Sequence, residues 1–321
     1  MELKPEIIER LHKLDEKYQA MGQDLSSYLD GLLYADYLTY WDYIHLDTLL
    51  SLQSPKTSIP DEKIFIMYHQ ITELYFKLML HEFEQIGEKE KPPVDWLISR
   101  IMRINRYFKA LTESFTVMVD GMDPQQFLKF RMSLLPASGF QSGQYRMIEI
   151  WSTDFINLVD KDVRAEFSSR TEAANIEEMY EHIYWKKGAT ELSSGKKTLT
   201  LKQFEEKYYL QLLQLSQKVK TKNLLHIYHQ LPEADKENEE LKNALRLLDV
   251  NVNINWPLSH YKSAVRYLQK DPVDIAATGG TNWQKYLPPR FQKRIFYPEL
   301  WKKEEIEEWG KAWVKTEVFG M

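Results

Sequence analysis

Between Pro60 and Gly87 the chain reads DEKIFIMYHQITELYFKLMLHEFEQI, a run from Asp61 to Ile86 with no proline or glycine inside it. Ile64, Phe65, Ile66, Met67, Ile71, Leu74, Leu78 and Leu80 recur at three- and four-residue intervals, which predicts one long helix with a wide apolar surface. Pro60 followed by Asp61 and Glu62 suits its start, because acidic side chains in a first turn meet the positive end of the helix dipole. At about 1.5 Å per residue such a helix crosses a whole small domain, so other elements must pack along it. Phe65, His69, Thr72 and Phe76 fall on one stripe of this helix. Spacing alone leaves His69 open between a locally satisfied core histidine and a catalytic group.

Helical periodicity continues along the chain. Pro5 to Met21 reads as an amphipathic helix, Tyr28 to Leu52 as an aromatic-dense segment, and Val94 to Val119 as a second long helix with Leu97, Ile101, Ile104, Phe108, Leu111 and Phe115 in register. Asp123 is placed to cap a short helix over Phe127 to Leu135, after which PASGFQSGQYR breaks the pattern. Further helices are expected over Ile148–Val159, Asp162–Tyr184, a stretch capped by Thr200 with Gln203, a long run from Ala234 to Trp256, and Lys302–Val314. Pro257 lacks a backbone donor and is expected to kink or restart its helix. There is no internal repeat and no alternating run that reads as a strand, so the fold class is all-α. The expected organisation is one helical domain over residues 1–321, with residues 1–60 contributing to an oligomer interface and a flexible insertion near 186–200.

A net charge of -5 and a pI near 6.0 offer none of the concentrated positive charge that nucleic acid or an anionic membrane attracts. No apolar leader and no eighteen-residue apolar run is present, which leads to the expectation of a cytoplasmic protein that does not enter a membrane. The absence of cysteine removes disulfides, zinc fingers, iron–sulfur clusters and thiolate-ligated haem. Nineteen Tyr, 14 Phe and 9 Trp suit either a flat apolar ligand or a broad subunit interface.

Of the eight histidines, only His12 lies in a Glu-x-x-His motif, whereas a di-iron carboxylate bundle needs two such helices. His226 and His229 sit three apart but have no further ligands nearby in sequence. There is no His-Glu-x-x-His, no phosphate-binding glycine loop and no Gly-x-Ser-x-Gly elbow. A histidine-ligated haem asks for less: one neutral imidazole, an apolar slot and cations for its propionates.

Five blocks in order then carry a resemblance. FIMYHQITELYFK at 65–77, FR at 130–131 leading to LPASGFQSGQYR at 135–146, HYKSAVR at 260–266, TGG at 278–280 and FYPELW at 296–301 resemble the signature of tryptophan 2,3-dioxygenase. The resemblance runs from about Thr39 to Trp301. It implies an all-helical haem protein, usually a tetramer, that inserts dioxygen across the indole 2,3-bond of L-tryptophan to give N-formylkynurenine, the entry to kynurenine-type tryptophan catabolism. By position it implies His260 as proximal haem ligand, His69 as the distal histidine that accepts the indole N–H, and Phe65 stacked at the indole. Arg131 takes the substrate carboxylate, Thr278 the amino-acid end, and Leu134 and Ser138 line the pocket. Tyr40 and Tyr43 correspond to residues that reach a neighbouring subunit's pocket. Ala277, Thr281 and Trp283 depart from the family's substrate-loop pattern. That departure keeps two other readings in view: a haem oxygenase or peroxygenase on a substituted indole or another aromatic amino acid, and a non-catalytic haem- or tryptophan-binding protein.

Overall fold

The computed structural model describes residues 3–169, 175–191, 194–268, 284 and 287–311. The described residues contain helices, turns and two isolated bridges, Val159 with Ile183 and Thr190 with Lys197, but no strand, in keeping with the all-α class. The chain divides into two compact units, residues 1–54 and 55–321.

The first unit holds α1 (Pro5–Ala20), α2 (Leu25–Leu33), α3 (Tyr40–Tyr43) and α4 (Leu46–Leu50). Asp24 and Thr39 cap α2 and α3 through their side-chain oxygens. Leu25 is the one buried hydrophobic residue among those described in this unit. Tyr34, Tyr37, Tyr40 and Tyr43 are each at least 70% exposed, so the aromatic-dense segment forms no core of its own.

The second unit is built on α5 (Asp61–Glu88), the long helix expected from the sequence. Its start is tied down by polar contacts. The buried Glu62 carboxylate accepts the backbone N–H groups of Lys56 (2.6 Å) and Thr57 (2.7 Å) and the Thr57 hydroxyl (2.5 Å). Burial alone pushes the Glu62 carboxyl up, but these hydrogen bonds outweigh it and leave the pKa below the usual value. α6 (Val94–Ser114) lies along α5, and Phe76, Met79, Phe83 and Ile86 pack with Leu97, Ile101, Ile104, Phe108 and Leu111 in one cluster, all 1% exposed or less. The opposite face of α5 is unlike this: Met67, Ile71, Leu74 and Leu78 share a stripe and are 40–52% exposed.

The second long expected helix ends five residues early, at Ser114, and continues as the short α7 (Thr116–Val119). α8 (Pro124–Phe130) follows, capped by Asp123 as its sequence implied, and the tight turn Arg131–Leu134 extends it. After PASGF comes α9 (Gly143–Ser152), capped by Ser142; the expected helix to Val159 stops there and resumes only as a tight turn over Phe155–Leu158. Of the helix expected over 162–184, the described residues show α10 (Lys161–Ser168), α11 (Ile176–Glu181) and the start of α12 (Tyr184–Gly188), with turn or extended backbone at 175 and 182–183 between them; residues 170–174 lie outside the described residues.

Within 186–200, Leu192 and Ser193 lie outside the described residues, while Lys186, Ala189, Thr198 and Thr200 are buried. Thr198, not Thr200, caps α13 (Leu199–Lys218); the Thr200 hydroxyl donates instead to the Pro136 carbonyl at 3.0 Å. α14 (Leu224–Gln230), α15 (Glu233–Lys236) and α16 (Glu239–Val250) follow. α16 packs against α6, then passes through a widened turn, Asn251–Asn255, into α17 (Trp256–Leu268). Pro257 therefore does not end the helix: the ladder widens beside it and goes on. The expected terminal helix is described only over Lys303–Glu307.

Candidate active site

The N-termini of α5 and α8 are stitched together. The Asp61 carboxylate accepts the Asp123 N–H at 2.6 Å, and the Asp61 N–H donates to Gln126 Oε1 at 3.3 Å. One turn further along α5, Phe65 consequently meets α8, its ring 5.8 Å from Phe130 edge-on and 6.4 Å from Phe127. Phe127 in turn lies 4.6 Å from the Tyr267 ring of α17, and the Tyr267 hydroxyl donates to the Met118 carbonyl at 2.8 Å. Aromatic rings thus bridge the His69 helix to the His260 helix.

His69 is half-buried, its ring 4.1 Å from that of Phe65. Its Nδ1 is 2.7 Å from the Phe65 carbonyl oxygen. A carbonyl only accepts, so Nδ1 carries the proton and Nε2 keeps a lone pair. His260 repeats the arrangement, with Nδ1 3.1 Å from the Trp256 carbonyl oxygen and the imidazole held between Trp256 (4.5 Å, edge-on) and Phe115 (4.8 Å). Burial pushes the His69 pKa down, against the opposing pull of the Phe65 carbonyl and the Glu73 charge. His260 falls to about 4: burial leads, the Trp256 carbonyl opposes, and His69 lowers it further. At neutral pH both are neutral imidazoles with an electron pair on Nε2.

Arg131 is 6% exposed, and burial lowers its pKa. Leu134 and Ser138 are half-buried. The Ser138 hydroxyl caps the tight turn Gly139–Gln141 by accepting the Phe140 N–H (3.3 Å), while its own N–H donates to Gln141 Oε1 (3.2 Å). The turn brings Gly139 against His260: a Cβ added there would lie 3.9 Å from His260 Nε2. Tyr40 and Tyr43 belong to the first unit and are exposed. Thr278, with Ala277, Gly279, Gly280, Thr281 and Trp283, lies outside the described residues.

Three participants escaped the sequence reading. Trp256, four residues before His260, was detectable by helical spacing; Phe115 and Gly139 carried no local signal, because only the packing of α6, α9 and α17 brings them to the imidazole. The other histidine pair divides its contacts, His229 bonding Glu299 (2.6 Å) and His226 bonding Gln230 (2.8 Å). Among the described residues no cluster of three or more His, Asp or Glu side chains is placed to hold a bare metal ion.

Comparison with known proteins finds similarity to one family. The family model for tryptophan 2,3-dioxygenase matches residues 32–154, which include His69, Arg131 and Ser138. A tryptophan 2,3-dioxygenase of Bacillus thuringiensis subsp. konkukian (strain 97-27) is 28% identical over 275 residues, spanning 82% of this chain and 91% of the relative. The chain is similar to the tryptophan 2,3-dioxygenases. A second family member, from Ruegeria sp. (strain TM1040), is 40% identical over 117 residues; that match covers 36% of this chain and 42% of the relative's length. The family member of Anaeromyxobacter sp. (strain K) is 38% identical over 113 residues, again 42% of its length. The similarity to the tryptophan 2,3-dioxygenases is thus higher over part of the chain than over the longer Bacillus match. No helix among the described residues is long and apolar enough to cross a membrane.

Proposed function

We propose that this protein is a haem-dependent dioxygenase that opens the indole 2,3-bond of L-tryptophan to N-formylkynurenine. One observation carries the reading: two neutral histidines on helices bridged by Phe65, Phe127 and Tyr267, each with Nδ1–H donated to a carbonyl of its own helix and an electron pair left on Nε2. The residues fit haem, since porphyrin brings four nitrogens and asks the protein for one imidazole, in surroundings of apolar rings such as Phe115 and Trp256. His260 would hold it through Nε2, the Nδ1 proton fixing the tautomer as outer-shell carbonyls do for metal-ligating histidines. Bound haem supplies the activation of dioxygen.

The chain's own groups then bind and orient the amino acid. His69 Nε2 accepts the indole N–H, because Nδ1 holds the ring's one proton. Phe65 stacks at the indole, and Phe127 and Phe130 behind it keep water away. The buried Arg131 presents a planar fork to the substrate carboxylate, a pairing strengthened by its low-dielectric setting. Leu134 and Ser138 line the pocket, and Thr278 takes the amino-acid end. The protein acts in the cytoplasm as a homo-oligomer, with tetramer the expected state, in which Tyr40 and Tyr43 reach the neighbouring subunit's pocket. Their exposure and the bare 67/71/74/78 stripe of α5 support assembly.

The test is turnover by reduced, haem-loaded protein offered L-tryptophan, substituted indoles and other aromatic amino acids under oxygen. Tryptophan loss matched by N-formylkynurenine absorbance is expected. Product from another member of the panel alone, or haem binding without any product, would replace this reading by a related oxygenase or a binding protein respectively.

A further inference from the structure

The joint between α16 and α17 is built differently from the helices on either side. The Trp256 N–H bonds to the Asn251 carbonyl, five residues back, instead of to the Val252 carbonyl four back. One extra residue is thus accommodated in this turn. Each residue of a helix advances by about 100°, so a return to the regular ladder would swing everything beyond the joint to another face. His260 lies one turn beyond, and its Nδ1–H is held by the carbonyl of Trp256, the same residue whose N–H closes the widened turn. The aim of the imidazole therefore depends on the register at Trp256.

Widening the turn displaces the Val252 carbonyl from its helical donor, and Val252 is fully buried. A buried carbonyl needs another partner. The Tyr145 hydroxyl, from α9, supplies it at 2.8 Å. Tyr145 is itself buried, and its oxygen also receives Arg294 Nη2 at 3.4 Å, so the phenol is fixed from two sides. On the other flank Asn253 donates from Nδ2 to the buried Asp249 carboxylate (2.7 Å). That carboxylate is anchored by the Phe296 and Tyr297 N–H groups and the Trp301 indole N–H at 3.0–3.2 Å.

We infer that Tyr145 is a positioning residue for His260: its hydroxyl takes the place of the helical donor at the Val252 carbonyl and so holds the turn in the register that aims the imidazole. In this role Tyr145 acts through the backbone. The inference rests on His260 being the haem ligand, and the experiment separates the two.

Tyr145→Phe removes one hydroxyl and keeps the ring in its place against Phe76. With haem loaded and reduced, the iron–histidine stretching band of Tyr145→Phe is expected to shift or broaden relative to the parent. Haem transfer to an acceptor globin should quicken by roughly tenfold, the low end for outer-shell partners of metal-ligating histidines. Asn253→Ala, on the opposite flank, should move the same band. An unchanged band and transfer rate in a folded Tyr145→Phe protein overturns the positioning role while leaving His260 as ligand. If His260→Ala keeps the parent's band and haem content, the ligand assignment itself fails and the positioning role falls with it.

Discussion

His69 and His260 are oriented by the same device: each donates Nδ1–H to the carbonyl four residues earlier in its own helix, Phe65 at 2.7 Å and Trp256 at 3.1 Å. Each helix supplies its histidine's tautomer without a second side chain. The two differ in their surroundings. The Gly139 turn approaches His260 Nε2, whereas His69 stands with Phe65, Phe127 and Phe130.

Replacing the two histidines should consequently have separable effects. His260→Ala is expected to abolish stable haem binding. His69→Ala should bind haem with the parent's stoichiometry and lose about ten- to a hundredfold in kcat/KM, the worth of one buried hydrogen bond to the indole. Absorption titration with haem and steady-state kinetics check both; haem loss from His69→Ala would mean that the faces are reversed.

Arg131 is buried, and in the proposed function it takes the substrate carboxylate. Arg131→Leu should raise KM for tryptophan by roughly thirty- to a hundredfold with haem content unchanged, and Arg131→Lys should recover only part of this, because an ammonium is a point charge without the planar fork. Equal KM values for the parent and Arg131→Leu would remove Arg131 from the substrate site.

Gly87 tests the packing of α5. Alanine for glycine inside a helix ordinarily adds about 1 kcal/mol. Here a Cβ would meet the Trp151 ring at 2.5 and 2.8 Å, too close for the indole to stay where it is between α5 and α9. Gly87→Ala should therefore lower the melting temperature; a rise would show that Trp151 moves aside freely.

Burial raises the Asp249 carboxyl to about 6, against its hydrogen bonds from Phe296, Asn253, Trp301 and Tyr297. The folded protein holds this proton more tightly than the unfolded chain, whose carboxyl titrates near 3.8. Stability from this group is full below about pH 4 and is lost as pH rises to about 6, by on the order of 1–3 kcal/mol. Asp249→Asn lacks that titration. Its melting temperature, compared with the parent's between pH 4 and 6.5, should improve relative to the parent as pH rises; all other titrating groups are common to both proteins. A constant difference across that range would show that Asp249 stays ionised throughout.

The exposed tyrosines of the first unit bear on assembly. Tyr40→Ser with Tyr43→Ser should leave the melting temperature of dilute protein nearly unchanged, since both side chains are at least 70% exposed. The double variant should sediment as smaller species and show a raised KM. Unaltered sedimentation and KM would place these rings outside the interface and the pocket.

The sequence by itself determined the elements that rest on local chemistry. The uninterrupted apolar period of Asp61–Ile86 specified α5, Asp123 capped α8, and His69 fell on the stripe it occupies. Four ordered blocks on described residues also single out His69, Arg131 and His260 by their sequence alone. Other features were beyond local reading. Thr200 and Thr198 look alike as caps, and the choice of Thr198 was made by the distant Pro136 carbonyl, which engages the Thr200 hydroxyl. Pro257 signalled a break, but the helix continues through a widened turn that Tyr145 and Asn105 reach from elsewhere in the chain. Ile71, Leu74 and Leu78 matched the apolar period of Phe76 and Leu80, yet they are 45–52% exposed while Phe76 and Leu80 are buried. Periodicity records which residues share a face, since that follows from 3.6 residues per turn; which face is covered depends on the packing of α6 and α9, and what meets Nε2 of His260 depends on the Gly139 turn, more than a hundred residues away in the chain.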